Sequence, residues 1–150
     1  MRGVSEEVFM DTAESMQVRE YVPATLKELH REGWAIYIVT GGFDILEKVL
    51  IRNNVSYEGY ISHSLISREG KLQGGILRYR DKGEVARKLK KLINPTVTVA
   101  VGDGHNDIGM FMESDIAIGF KPKKTVEPYI HLKIDEFRDL EHYLYLLRDT

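Results

Sequence analysis

The stretch Thr98-Val99-Ala100-Val101-Gly102-Asp103-Gly104-His105-Asn106-Asp107-Ile108-Gly109-Met110-Phe111 constrains this chain more than any other. An apolar, β-branched run ends at Asp103, a glycine turn follows, and an apolar helical pattern opens with Asn106 and Asp107. Both carboxylates therefore fall where a parallel strand hands over to a helix. In open parallel sheets ligands collect just beyond the carboxyl ends of the strands, and glycines there let backbone N–H groups approach an anion closely. Two Asp and one Asn at such a point suit a hard cation such as Mg²⁺, which takes oxygen ligands and usually shares them with a phosphate.

The other segments alternate in a way that fits this junction. Val22-Pro23 starts a helix with Leu26 and Leu29 inward and Gly33 as its stop. Trp34 to Val39 reads as a buried strand, Thr40-Gly41-Gly42 as the turn beyond it, and Phe43 to Asn53 as a helix with Ile45, Leu46, Val49 and Leu50 at core spacing. Tyr60-Ile61 reads as a short strand, and Leu65-Ile66 with Leu72 to Leu77 as a hairpin broken at Glu69-Gly70. Asp81-Lys82-Gly83 opens a helix running to about Leu92, which Asn94-Pro95 ends before a strand at Val97 to Val101. Ile108 to Glu113 is a brief helix, Ile116 to Ile118 and Ile130 to Ile134 are strands, and Asp135 caps a closing helix carrying Phe137, Leu140, Tyr143, Leu144 and Leu147 on one side. In residues 1–17, Val8, Phe9 and Met16 fit one face of a short helix. Strands alternating with helices at this spacing indicate an α/β fold with a parallel sheet and right-handed crossovers.

Composition narrows the function. At 150 residues the chain is expected to be one domain, able to bury roughly two thirds of its unfolded surface. It has 0 cysteines, which rules out disulfides, thiolate metal sites and a cysteine nucleophile and fits a cytoplasmic protein. Lys+Arg 21 against Asp+Glu 23 leaves a formal charge of -2, without the basic excess that marks a nucleic-acid binder. No apolar run approaches the roughly 20 residues of a membrane span. The expected partner is a small molecule.

Three features stand in order: Thr40-Gly41-Gly42 after one strand, Lys82 at a helix start, and Gly102-Asp103-Gly104-His105-Asn106-Asp107 after another strand, with separations 82 − 40 = 42 and 103 − 82 = 21. Together they resemble the haloacid dehalogenase superfamily. Ile38-Val39-Thr40-Gly41-Gly42-Phe43-Asp44, Val101-Gly102-Asp103-Gly104-His105-Asn106-Asp107 and Glu69-Gly70-Lys71-Leu72 are most similar to its phosphoserine phosphatases. The likeness runs from about Val22 to the C-terminus. It implies a Rossmannoid parallel sheet with helices on both faces, and a Mg²⁺-dependent phosphomonoester hydrolase acting on a small, phosphoserine-like metabolite. Thr40 Oγ and the Gly41 N–H would hold phosphate oxygens, Lys82 would add a point charge on the same group, and Asp103 would be the metal ligand. Asn106 and Asp107 would orient the metal's waters, the phosphate or Lys82. Lys82 and Asp107 are thus the catalytic candidates, and Thr40, Gly41, Lys82 and Asn106 the phosphate-binding ones.

The sequence also departs from that family. Its members begin with an apolar strand ending Asp-x-Asp-x-Thr or Ser, whose first Asp attacks phosphorus and whose second is the general acid and base. No such motif stands upstream of Thr40. Val8-Phe9-Met10-Asp11-Thr12-Ala13 has Ala in place of the second Asp, and Ser5-Glu6-Glu7 before it does not make a buried strand. Residues 1–20 are therefore expected to be the remnant of a cap or linker and 21–150 the core, with most of the cap and the first strand missing. That strand lies in the family between those ending at Thr40 and Asp103. The strands 36–39 and 98–101 closing on each other, a strand lent by a partner in a homodimer, or a longer natural protein would each fill the gap.

Bland readings stand beside these. His105 is expected to be an exposed loop side chain. Arg78, Arg80, Lys82, Arg87, Lys88, Lys90 and Lys91 read as a solvated helix face. Lys121, Lys123 and Lys124 either border the phosphate site or keep a loop soluble, and Trp34, Phe111 and Tyr143 are most simply core. The rival to a hydrolase is a non-catalytic module that binds phosphate or a protein through the retained site.

Overall fold

The computed structural model describes residues 21–68, 71–76 and 78–148; the expected helical face at Val8, Phe9 and Met16, and the candidate Asp11, lie outside them. The described residues form two compact units, one ending at Arg78 and one beginning at Tyr79.

The first unit opens with helix α1 (Val22–Arg31), followed by strand β1 (Tyr37–Phe43), a 3-10 turn (Asp44–Leu46), helix α2 (Glu47–Arg52), and strands β2 (Gly59–Arg68) and β3 (Lys71–Ile76). Pro stands in the first turn of α1, Leu26 and Leu29 are buried, and Gly33 at φ 95 stops the helix as expected. Glu58 links α1 to the approach to β1, with one carboxylate oxygen on His30 Nδ1 at 2.8 Å and the other accepting the Ile36 N–H. β1 pairs parallel with β2, and β2 antiparallel with β3, so the three form one sheet in the order β1-β2-β3.

Two expectations for this unit need correction. The strand does not stop at Val39 but runs through Thr40-Gly41-Gly42 to Phe43. Val39 pairs with Ile61 and Phe43 with His63. Four steps along β1 (43 − 39) thus match two along β2 (63 − 61), and the motif is a bulge within the strand, not a turn beyond it. The helix expected from Phe43 is a 3-10 turn and then the short α2, and Trp34 to Ile36 precede the strand instead of starting it.

The second unit runs helix α3 (Lys82–Ile93), strand β4 (Val99–Gly102), a 3-10 turn (His105–Asp107), helix α4 (Ile108–Glu113), strand β5 (Ile116–Phe120), a 3-10 segment (Lys124–Tyr129), strand β6 (Leu132–Ile134) and helix α5 (Asp139–Arg148). The ladders β4-β5 and β5-β6 are both parallel. Ala100, Phe111, Ala117 and Val126 form the core, with Ile108, Met110 and Ile130 packed against them. α3 begins as the sequence indicates: the Asp81 carboxylate accepts the Glu84 N–H, and Asn94 in the left-handed region ends the helix. α5 does not begin at Asp135. Phe137 meets Phe120 edge to face at 5.7 Å, residues 135–138 bend and turn around that contact, and the helix starts at Asp139 with Leu140 and Leu144 buried. Of the three aromatics expected in the core, Phe111 is buried while Trp34 and Tyr143 are half-buried. Among the described residues the first unit's sheet has the order β1-β2-β3 and the second unit's the order β4-β5-β6.

Candidate active site

Lys82 enters the site because its helix starts where it does. The Asp81 cap fixes the first turn of α3, and the Lys82 side chain, only 11% exposed, places Nζ 2.6 Å from Oδ1 of Asp107, itself 5% exposed. A buried ammonium and a buried carboxylate are tolerable only as partners, and removing either strands the other at a cost of about 3–5 kcal/mol.

Asp107 is bound from a second side. Its Oδ2 accepts the N–H of Asp103 at 2.8 Å and of Gly104 at 3.1 Å, so one carboxylate ties the loop after β4 to a lysine 25 residues upstream. Gly102 makes room for this, since a Cβ there would lie 2.5 Å from Asp107 Cγ. With Asp107 engaged on both oxygens, Asp103 is the different carboxylate of the pair: half-buried, with no hydrogen bond or ion pair to its side chain among the described residues. Asn106 is exposed on the turn beside it, and His105 is exposed as expected. Tyr79 belongs to the same neighbourhood; burial pushes its phenol above the ordinary value, and the Asp107 charge adds to the effect.

The structure places Lys82, Asp103, Asn106 and Asp107 near one another in the second unit. Thr40 and Gly41 lie in the first unit, in the β1 bulge, where Thr40 Oγ accepts the Gly42 N–H at 3.0 Å. Two contacts of the loop were not singled out from sequence: the Lys123 N–H donates to the Asp103 carbonyl at 3.0 Å, and Tyr79 lies near Asp107. The proximity of Lys123 to the Pro122 turn was the available signal. The basic stretch is otherwise a solvated face, with exposed pairs Arg87–Glu113 at 2.8 Å and Lys88–Glu84 at 3.1 Å.

The second unit thus combines, in an α/β arrangement, a strand-loop-helix junction with one open carboxylate, one buried lysine–carboxylate pair and glycine at the points of closest approach. The family model described as haloacid dehalogenase-like hydrolase matches residues 4–115, and the chain belongs to that family. It is 36% identical over 126 residues to a phosphoserine phosphatase of Methanocaldococcus jannaschii, covering 80% of this chain and 59% of that protein's length. It is 27% identical over 150 residues to the phosphoserine phosphatase of Wolinella succinogenes, covering 96% of this chain and 72% of that one. Among solved structures, a substrate-bound phosphoserine phosphatase superimposes with a TM-score of 0.84 at 29% identity, over 97% of this chain and 71% of that chain. The chain is thus phosphoserine phosphatase-like in sequence and fold. Among the described residues, no helix is long and apolar enough to cross a membrane.

Proposed function

We propose that these residues form the metal- and phosphate-holding part of a Mg²⁺-dependent phosphomonoester hydrolase whose substrate is O-phosphoserine or a close analogue. The observation that carries this reading is the asymmetry of the two carboxylates: Asp107 is consumed by Lys82 and two backbone N–H groups, while Asp103, one loop away, is left open. An open carboxylate oxygen suits a hard, oxygen-seeking cation, and Asp103 is the residue that would hold it. Bound there, Mg²⁺ would supply positive charge to phosphoryl oxygens. Lys82, held by Asp107, keeps its ammonium at a fixed point for the same group, and Asn106 offers an amide from the exposed turn. Thr40 and the Gly41 N–H are proposed as further phosphate donors, which the β1 bulge favours by freeing backbone groups from the ladder. The phosphoserine phosphatase likeness supports the substrate class.

The test is inorganic phosphate binding with and without Mg²⁺, beside phosphate release from O-phosphoserine, for the chain and for Asp103→Asn. Binding is expected only with Mg²⁺ and only with Asp103 intact; Mg²⁺-independent binding that survives the substitution would overturn the reading. Release by these 150 residues is expected to match that of Asp103→Asn, because they carry no Asp-x-Asp pair to attack phosphorus and shuttle the proton. Release above that control would place a nucleophile in the chain and direct attention to Asp11.

A further inference from the structure

We propose that Lys123 is a second cation of this site, drawing the dianionic phosphoryl group of the substrate onto the turn at Gly104–Asn106; the inference rests on the phosphate-binding reading above. The backbone of Lys123 is pinned at both ends. Its N–H donates to the Asp103 carbonyl at 3.0 Å, and its carbonyl accepts the N–H of the fully buried Val126 at 3.0 Å. Pro122 precedes it and restricts the chain entering that position. From there the side chain returns toward the loop: a Cβ built on Gly104 would lie 4.0 Å from Lys123 Nζ and 3.4 Å from Asn106 Oδ1. Glycine at 104 therefore keeps open a space bordered by an ammonium and an amide. Among the described residues that ammonium has no hydrogen bond or ion pair, whereas the Lys82 ammonium is paired with Asp107.

Charge explains what the second lysine is for. Asp103 and Asp107 bring two negative charges and Lys82 one positive, so the side chains alone leave the turn at −1, and the Mg²⁺ of the reading above would take it to +1 toward an approaching dianion. Lys123 adds one further positive charge. An exposed ammonium acts over several ångströms through water, so its contribution is modest and falls with ionic strength.

The experiment is calorimetric titration of inorganic phosphate into the Mg²⁺-loaded chain, for wild type, Lys123→Ala, Lys123→Arg and Asp103→Asn, at low and high salt. Lys123→Ala is expected to raise the dissociation constant about three- to tenfold at low salt, with the factor approaching one near 1 M salt, where the screening length is about 3 Å. Lys123→Arg should recover most of the loss. Wild-type binding unchanged by Lys123→Ala at low salt would overturn the role of Lys123 alone. A loss of equal size at every salt concentration, not recovered by arginine, would make Lys123 a loop-packing residue and overturn it too. Wild type that binds no phosphate, or binds it without need of Mg²⁺ and Asp103, would overturn the functional reading and this inference with it.

Discussion

Twice in the chain a strand is followed by a 3-10 turn and a six-residue helix, once where β1 carries the Thr40–Gly42 bulge within it and once where Gly102–Gly104 ends β4. The two junctions differ in what holds them. At β1 the Gly42 N–H donates to the Thr40 hydroxyl two residues back. At β4 the link is a buried charge, with Asp107 gathering two N–H groups of its own loop and the ammonium of Lys82 from another helix. A loop clamped by a buried ion pair fixes its neighbour, here Asp103, before anything binds.

The largest effect should come from breaking the clamp. Asp107→Ala leaves the Lys82 ammonium buried and two N–H groups without their acceptor, and urea denaturation should show a loss of about 3–5 kcal/mol. A loss under about 1 kcal/mol, the range of a surface ion pair, would mean the pair is not buried in solution and the two junctions are alike. Gly102→Ala crowds the same carboxylate without removing it; about 1–3 kcal/mol of stability should go, and Mg²⁺-dependent phosphate binding with it. Thr40→Val removes the local link and should cost only about 0.5–1.5 kcal/mol, while weakening phosphate binding. Were Thr40→Val to cost as much as Asp107→Ala, the two junctions would be held with equal strength.

The smallest effect lies just beyond the β1 junction. Burial, and then the hydrogen bond to Glu47 at 2.6 Å, push the Tyr57 phenol up from 10.0 to about 12. The protonated form is the one the fold favours, so this contribution is complete below pH 10 and is lost as pH rises toward 12. Stability measured across that interval should fall more steeply in wild type than in Tyr57→Phe.

The same contrast explains what could be read from the sequence. α4 was legible to the residue and α3 to within one, because Asp81, Asn94 and the 3.6 period are local signals. Lys82, Asp103, Asn106 and Asp107 were legible through motif order. The β1 bulge was not, because a strand carrying two glycines continues only if a partner resumes pairing at His63, and that partner lies 20 residues downstream (63 − 43). The start of α5 was missed for a similar reason: Asp135 is a good cap locally, but the edge-to-face contact of Phe137 with Phe120 delays the helix to Asp139. The route from Lys123 to Asp103 runs through backbone atoms, which carry no residue signature.

The Lys82–Asp107 contact also has a kinetic meaning. It joins the first turn of α3 to the amides of Asp103 and Gly104, so neither the loop nor that end of the helix can open without breaking a buried ion pair. In native-state hydrogen exchange the amides of Asp103 and Gly104 should therefore exchange in step with those at the start of α3, as one cooperative opening, and not with the frayed rate of an ordinary surface loop.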